Sequence, residues 1–164
     1  MKTFLTCCLA ALLGFGLLAA RPAQAKQHLL LGSSIVGGSY YVLGGTYAKY
    51  INDTYPDLDV SVEVGGGPYS NITLLSNGEI DLGFATTWAT GEMYDGINDQ
   101  KKKHEDIRAF LPLFPSYLQI YSLAESPIKS MGDIQGKIAS SGAAGSSGRI
   151  ATQTLFDILG IKPA

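Results

Sequence analysis

Arg149 closes the run Ser146-Ser147-Gly148-Arg149, where a guanidinium stands beside two hydroxyls and a glycine. That fork of N–H donors suits a carboxylate, which it holds through two parallel hydrogen bonds. The run opens an expected helix, and a cation in a first turn opposes the helix dipole unless an anion joins it. The pattern therefore favours anion binding over a solvent-facing arginine. Two other loops share its composition: 34–41, containing Gly37-Gly38-Ser39-Tyr40-Tyr41, and Gly65-Gly66-Gly67-Pro68-Tyr69-Ser70. Glycine lets backbone approach a ligand closely, and free amides at a helix start favour an anion. Each loop alone reads as an ordinary turn from strand to helix. Three of one kind point to a cleft. Thr86, Thr87 and Trp88 follow another expected strand, and Trp88 with Tyr40, Tyr41 and Tyr69 would make the aromatic wall usual in small-molecule pockets.

Catalytic chemistry is poorly served. An exported hydrolase or transferase using the serine-rich 140–147 loop is the rival reading, but it needs a base beside the nucleophile. His28 begins a strand and His104 lies in a charged stretch, neither near a G-x-S-x-G setting. The 142–149 loop lacks the spacing and the lysine of a phosphate-binding P-loop, and no G-x-G-x-x-G follows a strand. No His, Cys or carboxylate cluster has metal-ligand spacing, so no cofactor is expected. Asn52-Asp53-Thr54 and Asn71-Ile72-Thr73 fit the glycosylation pattern, which in this setting is read as accidental. An adhesin-like interaction protein is a third reading, against which the three glycine loops count.

The N-terminus sets the compartment. Met1-Lys2-Thr3 gives a positive start, residues 4–20 carry no charge, and Ala23-Gln24-Ala25 supplies a small-x-small cleavage pattern. This describes a secretory signal peptide over residues 1–25. A membrane span wants about 20 apolar residues, and this run is shorter and holds Gly14 and Gly16. Both cysteines, Cys7 and Cys8, lie within it, so the mature chain is expected to contain no disulfide, thiolate metal site or cysteine nucleophile. Losing Lys2 and Arg21 from 12 basic residues leaves 10 against 14 acidic ones. That balance offers nucleic acid no basic face. Lys101-Lys102-Lys103 is followed at once by His104-Glu105-Asp106 and reads as a solvated loop.

These residues need a scaffold that gathers loops at one edge. Short apolar or alternating runs predict strands over 28–33, 59–64 and 80–85, with further strands over 108–114, 117–124 and 136–140. Helical spacing predicts helices over 40–52 with Ser39 as cap, from Pro68 to the Asn77-Gly78 stop, over 87–94, over 131–135 with Ser130 as cap, and over 147–159. Residues 96–106 are expected to be an exposed loop. Strands alternating with helices mean α/β architecture with a largely parallel sheet, whose ligands bind beyond the carboxyl ends of the strands.

The order of several blocks matches a family. Gly37-Gly38-Ser39-Tyr40-Tyr41, Leu43-Gly44-Gly45, Val64-Gly65-Gly66-Gly67, the segment 76–84 (SNGEIDLGF) and the segment 128–137 (IKSMGDIQGK) occur in this order in TAXI-type solute-binding subunits of TRAP transporters. The chain resembles that family across the whole mature sequence. The resemblance implies a type II periplasmic binding protein fold, with a first lobe over 26–126 and the start of a second lobe over 127–164. It implies a periplasmic receptor that passes a small carboxylate-bearing solute, glutamate, glutamine or another organic anion, to membrane permease subunits. The implied ligand contacts are Gly38, Ser39, Tyr40, Tyr41, Gly66, Gly67, Thr86, Thr87, Trp88, Ser146, Ser147 and Arg149. Relatives commonly carry Gly-Ser-Gly-Thr-Arg where this chain has Gly145-Ser146-Ser147-Gly148-Arg149, and Thr86-Thr87 replaces a more amide-rich stretch. Relatives are also about twice as long, so the chain is expected to be a truncated product or a partial record that would bind weakly or aggregate by itself.

Overall fold

The computed structural model describes residues 25–97 and 101–164, so all but the last residue of the expected leader lies outside the described residues. Strand β1 (Gln27–Gly32) is followed by helix α1 (Ser39–Thr54), β2 (Leu58–Glu63), α2 (Pro68–Ser76), β3 (Leu82–Gly83) and α3 (Thr87–Asp95). A 3-10 helix over Met131–Ile134 and helix α4 (Ser147–Leu159) complete the described elements. The sheet is parallel, with order β2-β1-β3. This is the α/β architecture expected from the alternation of strands and helices.

Alternation along the strands sorts the two faces. Leu29, Leu31, Val60, Val62, Leu82 and Phe84 pack with Ala48 and Tyr47 of α1 in one apolar cluster. Gly32 and Gly83, paired in register across β1 and β3, turn the other way. A Cβ on Gly32 would lie 2.9 Å from Asn71 Oδ1, and one on Gly83 would lie 3.2 Å from Asn71 Cβ. The two missing side chains therefore make room for Asn71, which lets α2 seat close to the sheet. Beyond it, Ile72, Ala89, Met93 and Ile107 form a second cluster with α3. Ile134, Phe156 and Ile161 form a third, made only of residues beyond 127.

Both sequon asparagines are tied into the fold. Asn52 donates to the Val60 carbonyl at 3.0 Å and accepts from the Val60 amide at 2.7 Å. Asn71 is almost wholly buried.

Several local expectations need correction. No strand forms over 108–114 or 117–124, where Phe110, Tyr117 and Tyr121 remain open to solvent. Strand pairing needs a neighbouring edge, and this segment pairs with none. The 136–140 strand is likewise absent, although Gly136 and Lys137 exchange backbone hydrogen bonds with Lys162 and Ala164. Ser39 is the first helical residue rather than the cap of α1, and Gly38 holds the cap position. Within the 96–106 stretch expected to be exposed, His104 is buried. Ser130 does cap its helix, with Asp133 completing the capping box.

Candidate functional site

Parallel pairing places the β1–α1, β2–α2 and β3–α3 connections at one edge of the sheet, beyond the strand ends. Three helices start there. Gly38, Gly67 and Thr86 hold their cap positions, none with a side-chain cap, and no acidic residue occupies any of the three first turns. The first amides of a helix lack intrahelical acceptors, so three such ends make an edge rich in donors and partial positive charge.

Asn71 holds this edge together. Its amide nitrogen reaches Gly32 O (3.2 Å), Ser33 O (2.9 Å) and Phe84 O (2.8 Å), joining the ends of β1 and β3. Ser33, fully buried, donates from its hydroxyl to Glu63 O at 2.8 Å and so joins β1 to β2. The sequon pattern at Asn71 concealed this role. The signal that would have found it is the glycine in each adjacent strand.

Two glycine loops meet. Gly67 has φ of +100° and Gly145 has φ of +76°. A Cβ on Gly67 would lie 2.8 Å from Gly145 O, and one on Gly145 would lie 2.7 Å from Gly66 O. The backbones touch because neither residue has a side chain, and this contact brings the start of α4 to the start of α2. Ser146 caps α4, its hydroxyl accepting from Arg149 N at 3.2 Å. Ser147 is partly buried in the first turn, and Arg149 is exposed beside it.

A cavity of about 1000 Å³ runs along the free edge of β3 and reaches the strand ends. Tyr40, Asn71, Thr86, Thr87 and Trp88 line that end of it. Tyr40 stacks on Phe84 with ring centroids 5.2 Å apart, and burial pushes its phenol above its ordinary pKa. Thr86 is 7% exposed, and its hydroxyl is buried without a hydrogen-bond partner. Asn71 Oδ1 is in the same state. Buried polar atoms are nearly always paired, so both stand out among the atoms lining this cavity; His104 Nε2, away from it, is unpaired as well.

The predicted residues thus divide. Tyr40, Thr86, Thr87 and Trp88 share the cavity, and Gly66 and Gly67 meet the 142–149 loop. Gly38, Ser39 and Tyr41 stand at the head of α1 and do not line the cavity, nor do Ser146, Ser147 and Arg149. Tyr69 turns to a second cavity.

The histidines stand away from the serine-rich loop. His28 Nδ1 lies 3.1 Å from Asp59 Oδ2 at the start of β1 and β2, opposite the strand ends. His104 Nδ1 lies 2.8 Å from Ser76 Oγ, at the far end of α2 from Gly67, and Ser76 donates to Asp106 Oδ1 at 3.0 Å. The hydroxyl's one proton goes to the carboxylate, so the imidazole donates from Nδ1. That chain has serine in the middle, whereas nucleophile activation needs histidine there.

A family model described as the NMT1-like family matches residues 31–164.

Proposed function

The chain belongs to the NMT1-like family, a periplasmic binding protein-like family whose role is solute binding, and we propose that it captures a small carboxylate-bearing solute outside the cytoplasm for a TRAP-type secondary transporter. Glutamate, glutamine and other organic anions are the proposed class, with the membrane permease subunits of that transporter as partners. The TAXI branch of solute receptors is the proposed placement within this broader kinship, on the order of the sequence blocks. The proposed division puts the first lobe before Pro127 and the start of the second after it, and the separate apolar cluster beyond residue 127 supports that division.

One observation carries the reading. Three helices begin at the strand ends without side-chain caps or first-turn acids, and the cavity that contains the unpartnered Thr86 hydroxyl reaches Tyr40 of α1 and the start of α3. Such an edge complements a carboxylate, which accepts several hydrogen bonds and gains from the helix ends. Arg149 is proposed to close over the anion from the second lobe, since the Gly66–Gly145 contact already holds the start of its helix near this edge.

Calorimetric titration with glutamate, glutamine, succinate and 2-oxoglutarate tests the proposal. Saturable heat with at least one is expected, and Arg149→Ala is expected to lower its affinity by at least tenfold. Heat with none of the four solutes would overturn the assignment. Unchanged affinity in Arg149→Ala would remove that residue from the site.

A further inference from the structure

A second cavity, of about 910 Å³, lies between α2, α3 and α4. Its walls are largely apolar and aromatic, with Tyr69, Trp88, Ile97, Ile150 and Ile158 among them, and Glu92 is the one charged side chain lining it among the described residues. The Tyr69 hydroxyl donates to Glu92 Oε2, which fixes the carboxylate from α2. Trp88 is 38% exposed and borders both this cavity and the one at the strand ends.

The half-buried Glu92 carboxylate, held by Tyr69, offers an organic ammonium a charged partner while the ammonium's hydrocarbon part covers the apolar walls. An indole face beside the carboxylate adds attraction for the same cation. The volume falls within the range of about 300–1,000 Å³ typical of small-molecule sites. We propose that this second cavity binds an amphipathic organic cation, a primary ammonium on an apolar chain, with Glu92 as counter-charge and Trp88 as stacking wall. It is opposite in charge preference to the strand-end site and does not depend on that site's function.

Trp88 is the sole tryptophan of the sequence, so its fluorescence reports directly. Titration of the protein with hexylammonium, hexanol and hexanoate holds the tail constant and varies the head. Saturable change with hexylammonium is expected, at least tenfold tighter than hexanol and with hexanoate weakest. Glu92→Gln, with its melting temperature measured in parallel, is expected to bring hexylammonium to the level of hexanol. Saturating glutamate is expected to leave the hexylammonium affinity in place, read by calorimetry because Trp88 borders both cavities. Equal binding of hexanol or hexanoate, full affinity in a folded Glu92→Gln variant, or displacement by glutamate would each overturn the proposal. If Glu92→Gln melts early, the ranking of the three probes on the unaltered protein decides by itself.

Discussion

Asn71 shows how much one side chain can hold. Its nitrogen serves three carbonyls from two strands in a buried setting. Asn71→Ala would leave those carbonyls without their shared donor, at a cost of about 1–3 kcal/mol. Asn71→Asp would set a carboxylate against three carbonyl oxygens and should cost more. Urea unfolding of both variants measures this, and the order Asp below Ala below Asn in stability is expected. Gly145 makes a different contribution. Gly145→Ala meets a left-handed backbone and a Cβ only 2.7 Å from Gly66 O. About 1–3 kcal/mol of destabilisation is expected, read by the same unfolding curves. At this scale the sequence was uneven. The glycine loops could be read because glycine announces backbone contact. His104 could not, since its charged neighbours point outward while its own ring turns in to Ser76.

At the scale of elements, legibility followed locality. The predicted helix over 147–159 coincides with α4, Ser147–Leu159, because Ser146 caps its start and Gly160, in the left-handed region, ends it. Strands depend on partners far along the chain, and composition does not reveal whether an edge is available. The predicted 80–85 strand pairs only at Leu82–Gly83, and the runs at 108–114 and 117–124 pair with nothing. Hydrogen exchange should separate these cases. Amides of β1, paired on both sides, are expected to be the slowest, and those of 108–121 to exchange at nearly the rate of free chain. The capping box gives a pH prediction. Asp133 accepts from Lys129 N at 3.0 Å and from the Ser130 amide and hydroxyl at 2.8 and 2.9 Å. The Lys129 amide first, then the Ser130 hydroxyl and amide, hold its carboxyl below the ordinary Asp value. A depressed pKa adds stability that is present above the unfolded value and is lost as pH falls through the folded one. Protection of the Lys129 and Ser130 amides should therefore persist at neutral pH and disappear only below the usual Asp range of about 3.9.

Across the whole molecule, apolar surface is distributed unequally. Phe110, Tyr117, Tyr121 and Leu123 are more than three-quarters exposed, in one stretch of chain. Clustered apolar exposure on this scale favours association, so sedimentation should show species growing with concentration, reduced by Phe110→Lys with Tyr121→Lys. The strand-end edge is more polar and holds the binding account together. A carboxylate solute is proposed to be received there, where three helices begin without side-chain caps. Amide chemical-shift mapping during titration with glutamate tests this most directly. Shifts concentrated at 38–41, 66–70, 86–88 and 146–149, saturating together, are expected. Saturable shifts confined to residues outside those four segments, or no saturable shift with glutamate or succinate, would contradict the account.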